Sequence, residues 1–268
     1  MASNSVVLIT GANTGLGFEI VKALLQSPKP YTILLGGRSL EKAKVAAQQA
    51  QTEFPSSNSV IKPVQIDIES DSSITNLFEQ ISAEYGRVDV LINNAGAQFD
   101  TGAGSSLRQM REMWNRSWDV NTTSTHLLTH TLAPLLIKSS DSRLLFMTSG
   151  TANLTGHSNP VLPINHSPAK GWPKEGMSLT AYRSVKVGLN MVMLEWKRIL
   201  GEDGVKVWSV SPGMLATGLG GAGPEVLKKM GARDPALGGN FVRTVVEGER
   251  DADVGKVVGW MMGPIQPW

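Results

Sequence analysis

The chain contains no cysteine. Disulfides, thiolate catalysis and thiolate-held metals are thereby excluded. It also lacks an excess of either charge: 25 Lys and Arg stand against 23 Asp and Glu, a net +2. That balance provides no strong field for nucleic acid or an anionic membrane surface. No basic run with interleaved aromatics occurs. No apolar stretch approaches the ~20 residues of a membrane span. The first residues lack the basic segment and long apolar core of a secretory signal, so none is expected. A cytoplasmic setting fits these absences. Histidine is scarce, with four in the chain. His126 and His130 stand four apart, but no acid lies between them and no third ligand has matching spacing. No metal site is therefore expected.

The chain does hold enough apolar residues, 41% of 268, for one domain with a sizeable core. Val6-Val7-Leu8-Ile9-Thr10 is a short β-branched run that predicts a buried strand. Gly11-Ala12-Asn13-Thr14-Gly15-Leu16-Gly17 follows, and Phe18 to Leu25 carries apolar residues at helical spacing. Strand, glycine turn and helix in that order predict a phosphate cradle. The glycines let the backbone approach a pyrophosphate, and the helix N-terminus offers unpaired N–H groups. A loop that merely turns the chain is the competing reading.

A second strand, Tyr31 to Leu35, ends in Gly36-Gly37-Arg38-Ser39. An NAD site usually places a carboxylate at this point for the ribose 2′-hydroxyl. Here Arg38 stands instead, and a guanidinium pairs with a 2′-phosphate. That favours NADP(H) over NAD, against the alternative of a plain surface arginine. Further along, strands are expected at 60–67, 88–92, 143–148 and 205–211. Helices are expected at 40–53, around Ile74 to Ile81, from about 107 to 137, and at 180–200. Such alternation predicts an α/β fold with a doubly wound parallel sheet and helices on both faces. Ligands then bind beyond the carboxyl ends of the strands.

Tyr182 and Lys186 stand four apart in the last of these helices, so the phenol and the ammonium share a face. A nearby cation is expected to draw the phenol from ~10 toward the working range. Two segments break the alternation. Residues 150–179, which include His166 and Trp172, are too long for an ordinary connection and suggest an insertion or lid. Residues 213–230 open with a glycine-rich stretch and suggest a substrate flap, with a helix beginning at Pro224. Among the other apolar side chains, Trp114 and Trp118 are expected to pack rather than bind, Met191 and Met193 to lie in the core, and Met214 is a candidate for substrate contact.

These residues together resemble the short-chain dehydrogenase/reductase family over nearly the whole chain. Thr10 to Gly17 resembles its TGxxxGxG loop, and Asn93-Asn94-Ala95-Gly96 its NNAG segment. Asp119-Val120-Asn121 resembles the stretch bearing its helix asparagine. Ser149 falls at its serine position, Tyr182 and Lys186 match YxxxK, and Pro212-Gly213 with Thr217 matches PGxxxT. The closing Pro-Trp and Arg38 are similar to NADP(H)-dependent carbonyl-reductase-like members.

The resemblance implies a single Rossmann-type domain over 1–268 and a catalytic set of Asn121, Ser149, Tyr182 and Lys186. Tyr182 would exchange a proton with the substrate oxygen, and Ser149 would bond the carbonyl. Lys186 would tune the phenol and hold the ribose, and Asn121 would anchor a relay water. NADP(H) would lie on Gly11, Asn13, Thr14, Gly15, Leu16, Gly17, Arg38, Asp67, Ile68, Asn93, Ala95, Gly96, Tyr182, Lys186, Pro212, Gly213 and Thr217.

The expected activity is NADPH-dependent reduction of a ketone or aldehyde, the substrate being apolar or aromatic. An NADP(H)-binding sensor, or a cyclisation or dehydration in the same pocket, is the alternative. One departure stands out. Ser149 and Tyr182 lie 33 positions apart, more than the family usually keeps. The added loop puts the homo-oligomer that the resemblance would allow in doubt.

Overall fold

The computed structural model describes residues 4–101, 106–159, 162–174, 178–261 and 263–268. Parts of the loops at 98–106 and 150–179 lie outside them. The strands are β1 (Ser5–Ile9), β2 (Tyr31–Gly37), β3 (Val60–Gln65), β4 (Val90–Asn93), β5 (Arg143–Met147), β6 (Lys206–Ser211), β7 (Val257–Gly259) and β8 (Ile265–Gln266). The helices are α1 (Gly15–Leu25), α2 (Leu40–Glu53), α3 (Asp71–Glu84), α4 (Leu107–Trp118), α5 (Ser124–Leu136), α6 (Leu154–His157), α7 (Thr180–Ile199), α8 (Pro224–Lys229) and α9 (Pro235–Val246).

All strands join one sheet in the order β3-β2-β1-β4-β5-β6-β7-β8. Neighbours are parallel up to β7, and β8 returns antiparallel. The fold is thus the expected single-domain, doubly wound α/β arrangement.

The central strands are apolar on both faces because both faces are covered. Val7 and Ile9 of β1 join Ile33, Leu35, Ile92 and Val210 in a core closed by α1, α2 and α9. Val6 and Leu8 point the other way, to Leu91, Phe146 and Val207 under α3, α5 and α7. Each such fully buried side chain contributes roughly 1.5–3 kcal/mol. Strand order reverses between β1 and β4. A crevice opens at such a point, beyond the strand ends, and there the glycine loop after β1 meets the Asn94–Gly96 segment after β4.

The helical region expected from about 107 to 137 is present as two helices, α4 and α5, joined by a π turn at Asp119–Thr123. One packing expectation is corrected. Met191 is 60% exposed, whereas Met193 is fully buried. Residues two apart on a helix face away from each other, so both could not enter the core. Trp118 is also partly exposed, although its ring packs on Gly188, where a Cβ would stand 2.6 Å from Cζ3. Finally, α9, β7 and β8 add to what the pattern revealed. Gly238-Gly239 obscures α9, yet the structure requires them. A Cβ on Gly239 would lie 2.5 Å from the carbonyl oxygen of Glu19, where α9 crosses α1.

Candidate active site

The cradle is built from backbone that only glycine allows. Gly11 and Gly15 hold φ of +61° and +56°, the left-handed region that other residues avoid. Gly17 has ordinary dihedrals but no room: a Cβ would overlap the Gly11 carbonyl oxygen and stand 2.5 Å from Asn94 Nδ2. Thr14 caps α1 in an extended conformation with no side-chain bond to the helix. The first N–H groups of α1 are therefore left without a side-chain partner, as at a helix start that binds an anion. Leu16 packs beneath this turn, against Gly238.

Two residues outside the expected set hold the loop in place. Asn94 Nδ2 donates to the carbonyls of Thr10 (2.8 Å) and Gly11 (3.2 Å). Thr10 Oγ1 accepts from the amides of Asn94 (3.1 Å) and Ala95 (2.9 Å). The signal for both was present, since they close the ends of adjacent buried strands.

The Asn94–Gly96 segment joins this cradle to the second cluster. A Cβ on Gly11 would lie 3.1 Å from Ala95 Cα, and one on Gly96 would lie 2.9 Å from Asn121 Oδ1 and 3.3 Å from Lys186 Nζ. Asn121 sits in the π turn, a distortion frequent at functional sites. Its Nδ2 donates to the carbonyls of Ala97 (2.8 Å) and Ser117 (2.9 Å), and its Oδ1 accepts from the Ala97 amide (3.2 Å). Lys186 is buried, and its Nζ donates to the carbonyl of Met147 at 2.9 Å. No second acceptor for this ammonium occurs among the described residues. Burial pulls it down to about 8.

The Ser149 hydroxyl lies near enough to the Tyr182 phenol to ease its ionisation. Ser149 is itself set by Thr151, whose hydroxyl lies 2.9 Å away and whose amide donates to Ser149 Oγ. Thr148, the neighbouring hydroxyl, turns inward to the carbonyl of Lys186. Burial pushes the phenol up to about 12, the Ser149 hydroxyl works the other way, and the Asp100 carboxylate adds to the rise. This corrects the expectation that Lys186 draws the phenol down. The ammonium lies 5.8 Å from the Tyr182 ring centroid, over the ring. Removal of the hydroxyl from water outweighs that contact.

The remaining expected residues divide in two groups. Arg38 is exposed at the end of β2 and has no carboxylate partner among the described residues; its carbonyl accepts from Gln65. Asn13 Oδ1 faces Gly37, where a Cβ would stand 3.1 Å away. Asp67 lies two residues past β3, its carboxylate accepting from the Glu69 amide, and Ile68 is buried beside it. Thr217 lies over the glycine loop, 3.6 Å from a Cβ placed on Gly15. The Pro212 carbonyl accepts from Trp260 Nε1, and Gly213, with φ +81°, packs against Met261. Asn93 behaves differently. Its side chain points into the core, where Nδ2 donates to Thr129 at 3.0 Å, so only its backbone faces the crevice.

The two irregular segments flank the cluster. Arg183 ties residues of the 150–179 segment to α7, donating to the carbonyl of Thr151 and to Asn165 Oδ1. Residues 214–216 are bonded back to Arg233. Met214 is 40% exposed. His166 lies on the insertion surface, and Trp172 is 87% exposed. His126 and His130 stack near Trp196, with His126 5.4 Å from its ring. No group of three metal-ligating side chains gathers among the described residues.

A glycine cradle at the switch point of the sheet and an adjoining Tyr-Lys-Ser cluster are the features of an α/β oxidoreductase of the dinucleotide-binding class. The family model for short chain dehydrogenases matches residues 5–161. A short-chain dehydrogenase/reductase of a Phoma species, eupG, is 46% identical over 98% of this chain and 97% of its own length. Another, tropE of Talaromyces stipitatus, is 42% identical over 100% of this chain and 99% of its own. The chain belongs to the short-chain dehydrogenase/reductase family, whose members use nicotinamide cofactors. Its backbone also follows that of the NADPH-bound carbonyl reductase from chicken fatty liver, with a TM-score of 0.76 over both whole chains. At 22% identity that likeness concerns the fold alone.

Proposed function

We propose that this protein reduces a ketone or aldehyde to an alcohol with NADPH, and that Tyr182 donates the proton. The reading rests on one observation above the others: the Tyr182 ring lies 5.8 Å from the buried Lys186 ammonium, which meets Gly96 at the edge of the glycine cradle, and Ser149 is close enough to act on the phenol. The residues present fit a dinucleotide. The cradle excludes any Cβ at Gly17, the start of α1 lacks a side-chain cap, and Lys186 has N–H groups to spare. Gly11, Asn13 and Gly15 to Gly17 would hold the pyrophosphate, Arg38 a 2′-phosphate, and Asp67 and Ile68 the adenine side. Thr217, Pro212 and Gly213 would border the nicotinamide, with the backbone of Asn93 to Gly96 beneath. NADPH, when bound, supplies the hydride that the carbonyl carbon accepts.

The chain's own part is to place the carbonyl and move a proton. The Ser149 hydroxyl bonds the carbonyl oxygen and polarises it. As the oxygen gains charge, the Tyr182 O–H bond breaks and the proton passes to that oxygen. A phenol raised to about 12 is fully protonated at neutral pH, the state a donor requires. An alkoxide is the stronger base, so the transfer runs downhill. Lys186 stabilises the phenolate left behind. Asn121 commits its amide protons to the Ala97 and Ser117 carbonyls, and so holds the loop beside the phenol.

The 150–179 segment and the 213–230 flap would wall the substrate side. Exposed Met214 and Leu219 in the flap, with Met261 packed against Gly213, favour an apolar or aromatic carbonyl compound. The test is NADPH consumption across aromatic and aliphatic ketones, with NADH in parallel. Consumption that requires a ketone and prefers NADPH supports the proposal. Binding of NADPH with no consumption on any carbonyl would transfer the site to a sensing or non-redox role.

A further inference from the structure

Helix α7 carries Tyr182 yet provides no cap of its own. Leu179 occupies the cap position without a side-chain bond, and the neighbouring hydroxyls of Ser178 and Thr180 bond each other at 2.7 Å. The cap comes instead from Asp100, in the loop after β4, some eighty positions earlier. One carboxylate oxygen accepts from the Ala181 amide at 2.8 Å and the other from the Tyr182 amide at 3.1 Å.

The residues around Asp100 are anchored just as widely. Ala97 is bonded through both its N–H and its carbonyl to the Asn121 carboxamide. The Phe99 ring lies 4.4 Å from the Arg116 guanidinium. Thr101 Oγ1 stands 3.0 Å from the Gly220 carbonyl of the flap. Residues 97–101 thus touch the asparagine turn, the start of the tyrosine helix and the flap.

We propose that Asp100 is a positioning residue for the reaction: its carboxylate caps α7 from across the fold and fixes Tyr182 relative to Asn121 and the flap. The inference rests on the reading of Tyr182 as the proton donor. A cap taken from a distant loop makes the place of the Tyr182 backbone depend on that loop, which a local cap would not do. A displacement of ~1 Å at a reacting group costs on the order of 100-fold in rate. The carboxylate also places a negative charge near the phenol and disfavours the phenolate. The other groups facing Tyr182 are Lys186 on its own helix and the uncharged Ser149 from the loop after β5. Arg183, next to it, is turned away to Thr151 and Asn165.

The test compares Asp100→Ala and Asp100→Asn with Asp234→Ala. The last removes a side-chain cap from α9, where Asp234 accepts from the Ala236 amide. Asp100→Ala is expected to speed hydrogen exchange at the Ala181 and Tyr182 amides. It should lower kcat about 10- to 100-fold with NADPH affinity held within about twofold. Asp100→Asn keeps the shape and removes the charge. In that variant the alkaline rise of alcohol oxidation should move to lower pH, because the phenolate forms more readily. Asp234→Ala should lower Tm and leave kcat and the pH profile as they are.

Unchanged exchange at the two amides in Asp100→Ala would overturn the proposal. So would a loss of kcat that Asp234→Ala reproduces, or an unmoved oxidation profile in Asp100→Asn. The exchange measurement needs no substrate. A wild-type protein inactive on every carbonyl would refute the reductase reading and leave the cap to be decided by exchange.

Discussion

Gly17→Ala sets two effects of opposite sign against each other. In a helix, replacing Gly with Ala ordinarily stabilises by about 0.5–1 kcal/mol. Gly17 lies in the first turn of α1 with unremarkable dihedrals, so propensity alone predicts a gain. The new Cβ would, however, overlap the Gly11 carbonyl oxygen and stand 2.5 Å from Asn94 Nδ2 and 2.8 Å from Ala12 Cα. Two of those three atoms are backbone, and the third makes the bonds that hold the loop. No rotamer change relieves all three contacts. Overpacking of this kind costs about 1–3 kcal/mol, and the backbone contacts favour the upper part of that range. The net loss is then about 1–2 kcal/mol, or roughly 2–8 °C in Tm for a chain of this size. The displaced loop is also the proposed pyrophosphate cradle, so NADPH affinity should fall by about tenfold or more, at 1.4 kcal/mol per decade. Thermal unfolding and cofactor titration check the two parts separately. A variant with raised Tm and unaltered NADPH affinity would refute the steric argument.

Two further outcomes follow from the charged groups. Ketone reduction should fall as pH rises through about 8, where Lys186 loses its proton, while the phenol stays protonated; a profile of kcat/KM flat from neutral to pH ~9 would contradict this assignment. Arg38→Ala should weaken NADPH by about tenfold and leave NADH within about twofold, as expected for one lost charge-assisted contact with a 2′-phosphate. An unchanged ratio of the two affinities, read by titration, would remove Arg38 from the account of cofactor choice.

The sequence revealed what depends on local chain geometry. The glycine turn is legible at Gly11, Gly15 and Gly17 because tight backbone requires that residue type wherever it occurs. Tyr182 and Lys186 are legible because helical spacing fixes their common face. The state of Tyr182 was misjudged from the same spacing. It brings the ammonium over the ring, and how deeply the hydroxyl is buried depends on Ser149 and on loops elsewhere in the chain. Asn94, Thr10 and Asp100 went unnoticed as supports because their partners lie about eighty positions away. The direction of the Asn93 side chain was hidden for a related reason. It shares a motif with Asn94, but strand alternation sends its side chain to Thr129 in the core. The last third hid α9 behind a glycine pair whose purpose appears only where two helices cross.

The central claim is that Tyr182 is the proton donor, and Tyr182→Phe tests it most directly. The substitution keeps the ring over which Lys186 lies and removes only the hydroxyl. Single-turnover reduction of a ketone accepted by the wild type, with NADPH already bound, should slow by at least about 100-fold, the usual contribution of a placed general acid. NADPH affinity should stay within about twofold. A Tyr182→Phe protein that turns over within about tenfold of the wild type would contradict the account.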